Sequence, residues 1–189
     1  MELEYPESLK GHFLMAMPAL NDPNFFRSVT FLCEHTQAGA VGIIVNRVHD
    51  ELTQRDIFTE LDIDYLPQAA SGVVYIGGPV HANELFVLHG PPFDWRGCLT
   101  ITPTLAMSNT SDILKAVAEG KGPKAYLITL GCAGWGPGQL EGEIKRNDWL
   151  TSPVDEEIMF ELPVESKWEA AIKRVGVDPA FLIDSAGHA

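Results

Sequence analysis

Leu130-Gly131-Cys132-Ala133-Gly134-Trp135-Gly136-Pro137-Gly138-Gln139-Leu140-Glu141-Gly142-Glu143-Ile144 joins an almost wholly apolar run, Lys124 to Leu130, to a run with helical spacing. Gly131, Gly134, Gly136 and Gly138, set around Trp135 and Pro137, permit a tight strand-to-helix turn, with Trp135 plugging the core. The pattern predicts a central strand over 124–130 and a helix from Gly136 to Asn147, with Pro137 near its first position. On that helix Leu140 and Ile144 mark the buried side, and Glu143 and Asn147 fall within one turn on the same side. Glu141 and Lys145 stand four apart on the outer side, in the favourable order for a solvated pair. The start of the helix could hold an anion on free backbone N–H groups. The glycine spacing, however, matches neither G-x-G-x-x-G nor G-x-x-x-x-G-K-[ST], so the glycines alone do not indicate a nucleotide.

Upstream, Val29 to Glu34 and Ala40 to Asn46 are β-branched and apolar, and predict a hairpin through Thr36-Gln37-Ala38-Gly39. Phe13 to Met17 is a first strand stopped by Pro18, and Asp22 caps a short helical turn opened by Pro23. Thr53 to Leu61 reads as a helix, with Thr53 and Asp56 at capping-box spacing. Val73 to Ile76, Glu84 to Leu88 and Cys98 to Ile101 read as strands, interrupted by Gly77-Gly78-Pro79 and Pro91-Pro92. Ser111 to Glu119 is a helix with Ile113, Leu114 and Val117 on one face and Gly120 as its cap. Glu165 to Val175 is another, ended by Gly176. Asp178-Pro179 opens a last short helix, and 185–189 form a tail. Strands and helices mix without regular β-α-β alternation. The class is α+β, one domain over 1–189, with a largely antiparallel or mixed sheet flanked by helices.

A chain of 189 residues is long enough for one well-buried core and short for two domains. Its 13 basic and 26 acidic residues give a formal charge of −13, which repels nucleic acid and anionic membrane within a Debye length of about 8 Å. No basic stripe offsets that field, so direct nucleic-acid contact is not expected. No apolar run approaches the roughly 18 residues of a membrane span, and Met1-Glu2-Leu3-Glu4 is acidic, the reverse of a signal peptide's start. Cys33, Cys98 and Cys132 lie far apart in apolar runs without C-x-x-C, as buried reduced thiols do in a cytosolic protein. A cytoplasmic location is the expectation. His12, His35, His49, His81, His89 and His188 show no H-x-x-x-H, no Cys/His set has zinc spacing, and nothing in the chain calls for a metal or cofactor.

The hairpin register gathers the first polar candidates. With the turn at Thr36 to Gly39, Ser28 lies near Asn46 or Arg47, so Arg27, Ser28, Asn46 and Arg47 meet at the open end. Two arginines with a hydroxyl and an amide make a cradle for an anion or carboxylate. Glu34 and His35 sit at the turn end, roughly six residues or about 20 Å away. They form a second spot, although neighbours on a strand point to opposite faces. Glu143, if buried, needs a cation or donors, which Arg27 or Arg47 could supply. The expected pocket therefore has Arg27, Ser28, Asn46 and Arg47 on one side, Gln139 and Glu143 opposite, and Trp135 as a wall.

Gly11-His12-Phe13-Leu14 with Ala16-Met17-Pro18, Asp22-Pro23-Asn24-Phe25, Ser28-Val29, Glu34-His35, Gly39-Ala40-Val41-Gly42 and Asn46-Arg47 occur in this order. Gly77-Gly78-Pro79-Val80 follows, then Leu130-Gly131 through Glu143, with Asn147 and Trp149-Leu150. In these motifs the chain resembles the YqgE/AlgH family of small bacterial proteins over nearly its whole length, through Pro153 and a Gly187-His188-Ala189 tail. The resemblance implies a single-domain cytosolic α+β protein with no settled biochemical activity, under a label of transcriptional regulator of alginate synthesis. The acidic composition and the lack of a recognition-helix signature argue against direct DNA contact behind that label. Two departures stand out. Val48 occupies the place where the family usually has Pro after Asn-Arg, and Cys132 the place where it usually has Tyr after Leu-Gly. The second marks position 132 as a space-filler and not a required catalytic thiol.

The function expected from these readings is a binding or regulatory module with a polar pocket, taking a small anionic ligand or a protein partner. An enzyme using Glu143, or Glu34 with His35, as acid and base is the alternative from a different class. A transcription factor is the third.

Overall fold

A computed structural model of the chain describes residues 8–186, with side chains as far as 182. The acidic start, Met1 to Glu4, and tail residues 187–189 lie outside the described residues.

Alternation along the strands builds the sheet. In β1 (His12–Ala16), Phe13 and Met15 enter one apolar cluster and Leu14 and Ala16 another. β2 (Val29–Thr36) and β3 (Gly39–Ile44) form the expected antiparallel hairpin. Thr36 faces Gly39 and Glu34 faces Val41; the pairing then slips at Cys33, so that Leu32 faces Gly42 and Thr30 faces Ile44.

The organising strand is β9 (Tyr126–Trp135), ten residues long. It runs on through Gly131 and Cys132 to Trp135, well past the expected end at Leu130, and only residues 136–138 turn. One edge of β9 pairs antiparallel with β6 (Val80–His89). The other edge pairs antiparallel with β3 near Trp135 and parallel with β5 (Val73–Ile76) at Thr129 and Leu130. The strand order is β10 (Trp149–Pro153), β1, β2, β3, β9, β6, β8 (Leu105–Ser108), β7 (Leu99–Thr102), with β4 (Val48–Thr53) attached to β5. The sheet is mixed and largely antiparallel, and the class is α+β.

Two glycines explain how three backbones crowd onto β9. Gly78, at φ +151°, passes so close to β9 that a Cβ would lie 2.3 Å from the Cys132 carbonyl carbon. Gly39, at φ +127°, would place one 2.2 Å from the Trp135 carbonyl oxygen. Any side chain there forces the strands apart.

The helices cover the sheet. At the start of α1 (Gln54–Glu60) the Asp56 carboxylate accepts the Thr53 N–H at 2.8 Å and its hydroxyl at 2.7 Å. α2 (Ser111–Ala118) buries Ile113, Leu114 and Val117 as its spacing requires. α3 (Gln139–Lys145) is shorter than the expected 136–147, because Gly138 sits at φ +72° before it and Asn147 at φ +61° after it. Asn147 therefore does not share a helix face with Glu143. α4 (Glu156–Phe160) and α5 (Val164–Arg174) follow. α6 (Pro179–Ala186) includes Ser185 and Ala186, which were expected in the tail.

One side of the sheet buries Phe13, Met15, Phe31 and Val45 against Met159, Trp168 and Ile172 from α4 and α5. The other buries Leu14, Ala16 and Leu32 against Leu140 and Ile144 of α3, together with Trp135 and Trp149. Truncating Phe31 or Trp168 to Ala costs about 3–5 kcal/mol on the scale of buried aromatics. Among the described residues, no helix is long and apolar enough to cross a membrane.

Candidate functional site

The open end of the hairpin assembles as its register requires. Asn46 Oδ1 accepts the Val29 N–H at 2.8 Å, and Asn46 Nδ2 donates to the Arg27 carbonyl at 2.8 Å. Asn46 is thus a clamp across the hairpin mouth, and Arg27 is held at φ +50°. Arg47 donates to the carbonyl oxygens of Asn24, Pro23 (3.3 Å) and Phe26 (2.8 Å). Its guanidinium staples the loop 22–27, and burial lowers its pKa against the opposing pull of Asp22. Ser28 is fully buried, and among the described residues its hydroxyl has no hydrogen-bond partner.

Arg27 behaves differently from Arg47. Its guanidinium carbon lies 5.3 Å from the Trp168 ring centroid and 5.7 Å from that of Phe26. Among the described residues it makes no side-chain hydrogen bond or ion pair. A cleft of about 240 Å³ opens beside it, lined by Phe26, Arg27, Asn46, Arg47 and, from α5, Val164, Glu165, Trp168 and Glu169. Phe26 is 64% exposed at its mouth.

Glu143 has a different set of partners from those expected. Its Oε2 accepts both indole N–H groups, Trp135 at 2.9 Å and Trp149 at 2.9 Å, and its Oε1 accepts from Gln139 Nε2 at 3.0 Å. Gln139 Oε1 in turn accepts the Gly136 N–H at 3.0 Å. Trp135, Trp149 and Phe25 pack ring to ring, with centroids 5.4 to 6.0 Å apart. Neither Arg27 nor Arg47 reaches Glu143. The reason is the pleat: Trp168 belongs to the cluster on one side of the sheet, and Trp135 and Trp149 to the cluster on the other. Six of the seven candidate residues thus divide into two groups with the sheet between them, and the seventh, Ser28, is buried and does not contribute to the cleft's lining. Arg27, Asn46 and Arg47 line the cleft, and Trp135, Gln139 and Glu143 form a separate clamp.

The side chains of Glu34 and His35 also diverge, with only the His35 backbone N–H donating to Glu34 Oε1 at 3.2 Å. Glu34 lies 3.7 Å from Lys10, and His35 is buried. The Leu9 N–H donates to His35 Nδ1 at 2.9 Å, which leaves Nε2 to carry the proton and donate to Glu141 Oε1 at 3.0 Å. Glu141, expected to pair with Lys145, instead closes α3 onto the hairpin turn. Its own backbone N–H holds its carboxyl below the usual range against the opposing effect of burial, and the His35 hydrogen bond adds to the lowering.

Glu165, Trp168 and Glu169 were not among the sequence candidates. Their signal was present, since Val164, Glu165, Trp168 and Glu169 stand at helical spacing on one face of α5. Nothing in the sequence tied that face to the hairpin mouth. Among the described residues, no three His, Cys, Asp or Glu side chains form a group able to hold a metal.

Comparison with known proteins places this architecture. A UPF0301 protein of Desulforapulum autotrophicum is 50% identical over 181 residues, 96% of each chain. Another from Thioalkalivibrio sulfidiphilus is 46% identical, covering 95% of this chain and 96% of that one. The solution structure of the AlgH protein from Pseudomonas aeruginosa superposes with a TM-score of 0.78 at 44% identity, over the whole of both chains. A crystal structure of a Corynebacterium diphtheriae protein shares the fold at 22% identity, with a TM-score of 0.71 over 91% of this chain and 90% of that one. The AlgH-like family model matches residues 13–180, and the chain belongs to that family.

Proposed function

We propose that the protein is a binding or regulatory module whose small ligand docks an anionic group on Arg27, in the cleft between loop 22–27 and α5. The observation that carries this reading is the division of labour between the two arginines. Arg47 spends its donors on loop carbonyls, whereas Arg27 is held by stacking through its faces, which leaves the in-plane N–H donors for a ligand. At about 240 Å³ the cleft is smaller than the roughly 300–1,000 Å³ of drug-sized sites, so the ligand is a small metabolite or a chain end. Exposed Phe26 favours a second reading, a protein partner whose own acidic group enters the cleft.

An acid–base enzyme has less support, because Glu143 is committed to two indoles and His35 to Leu9 and Glu141. The net charge of −13 supports a role without direct nucleic-acid or membrane contact, so any regulatory effect runs through a ligand or partner. Three free thiols, two buried (Cys33 and Cys132) and one half-buried (Cys98), suit a cytoplasmic location. The test is an NMR titration with acetate and inorganic phosphate. Amide shifts confined to 26–28, 46–47 and 164–169, and lost in Arg27→Ala, are expected; shifts elsewhere or none at all overturn the reading.

A further inference from the structure

The cleft holds unpaired charge of both signs. Arg27 supplies a cation, and Glu165 and Glu169 supply two carboxylates from successive turns of α5. All three line the same small volume, yet Arg27 forms no ion pair with either glutamate, and neither glutamate has another partner among the described residues. Elsewhere on the surface such groups do pair, as Arg174 does with Asp155 and Glu157 at 3.1 Å. Arg27 instead starts from a left-handed backbone and lays its guanidinium against the Trp168 and Phe26 rings. A gap between opposite charges that line one cleft without meeting is filled at least electrostatic cost by a molecule carrying both.

Resting on the reading that the ligand docks in this cleft, we infer that the ligand is zwitterionic: an amino acid or peptide terminus whose carboxylate meets Arg27 and whose ammonium meets Glu165 and Glu169. A purely anionic ligand would set its charge beside two carboxylates in a protein of net charge −13. A purely cationic one would meet Arg27, with Arg47 also in the lining. A zwitterion satisfies both edges, and its bidentate carboxylate matches the guanidinium fork.

The experiment uses three probes on one carbon skeleton: leucine, 4-methylpentanoate (no ammonium) and 3-methylbutylamine (no carboxylate). Each is titrated into the full chain, with binding read from the amide shifts of Asn46, Arg47, Trp168 and Glu169. Leucine is expected to bind roughly tenfold more tightly than either half-molecule, the worth of one charge-assisted hydrogen bond. Arg27→Met should abolish the advantage over the amine, and the double variant Glu165→Gln, Glu169→Gln the advantage over the carboxylate. All of these substitutions lie at the surface and keep side-chain size. If 4-methylpentanoate binds in the cleft as tightly as leucine, the zwitterion is overturned while the anion reading stands. If the amine alone matches leucine, or no probe moves these amides, both readings fall.

Discussion

Phe25 and Phe26 are neighbours in the chain that serve opposite sides of the sheet. The Phe25 ring lies 5.4 Å from Trp149 in the indole clamp, and the Phe26 ring lies 5.7 Å from the guanidinium of Arg27, which itself stacks on Trp168. The loop that carries both is therefore the physical link between the cleft and the Glu143 clamp. Its shape depends on Arg47 and not on Arg27.

That difference separates two arginine variants. Arg47→Ala removes a charged donor shared by three loop carbonyls, and is expected to destabilise the protein by about 1–3 kcal/mol. Arg27→Ala removes an exposed cation–π contact and should cost less than about 1 kcal/mol. Denaturant midpoints of the two variants beside wild type check this, and equal losses would contradict it.

The clamp makes a sharper prediction. Glu143→Ala leaves the N–H groups of Trp135 and Trp149 without an acceptor in a buried setting, with an expected loss of about 2–4 kcal/mol. Glu143→Gln keeps an oxygen that both indoles can share, and should retain most of the stability. Thermal unfolding of both variants, with indole N–H chemical shifts as a local readout, distinguishes a clamp from a solvated carboxylate.

Lys167 has no exposed surface; its Nζ donates to the Val45 carbonyl at 3.0 Å and the Met159 carbonyl at 2.6 Å, 5.1 Å from the Tyr75 ring centroid. Burial lowers its pKa to about 8, against about 10.4 in an unfolded chain. Between those values the unfolded chain binds the additional proton, so stability rises with pH from about 8 to about 10, by on the order of 3 kcal/mol. Above about 10 the half-buried phenols Tyr75 and Tyr126, whose pKa values burial raises, act in the opposite direction. Lys167→Met should flatten the rise. Parallel pH–stability profiles for the two proteins would show that Lys167 does not titrate this way.

Much of the fold was legible because its signals are local. The Thr36 to Gly39 turn fixed the hairpin, and Thr53 with Asp56 marked the first helix. The missed strands had no such signal: His49-Asp50-Glu51 in β4 is polar on both faces. β9 was cut short at Gly131 because glycine reads as a break, whereas here it marks the close approach of Gly78. The site was half legible. Hairpin register brought Arg27, Asn46 and Arg47 together, but which side of the sheet receives α3 and which receives α5 is a tertiary fact. Glu143 was thereby credited with an arginine partner when two indoles hold it.

Glu141 gives a pH test at the acid end. Its carboxyl is held below the usual range, so the stability it confers is present above the ordinary carboxylate pKa and is lost as pH falls through the depressed one. Glu141→Gln should be less stable than wild type at pH 7 and converge with it in acid, once the carboxyl of the folded protein is protonated. A gap that persists in acid would assign the effect to packing.

The thiols should differ in reactivity. Burial pushes the pKa of Cys33 far up and raises that of Cys132, with Glu84 adding to the latter, while Cys98 is half-buried. One fast-reacting thiol is expected in the native protein and three after denaturation. Fast native reaction of Cys132 would contradict its reading as a space-filler.

The most direct test of the cleft is thermal stabilisation of wild type, Arg27→Ala and Arg47→Ala across amino acids, short peptides, carboxylates and sugar phosphates. A ligand present at 100 times its dissociation constant adds about 2.7 kcal/mol. The expected result is stabilisation of wild type by a small carboxylate-bearing compound, lost in Arg27→Ala even though that variant unfolds close to the wild-type temperature. Stabilisation that survives Arg27→Ala undiminished would contradict the assignment of the cleft.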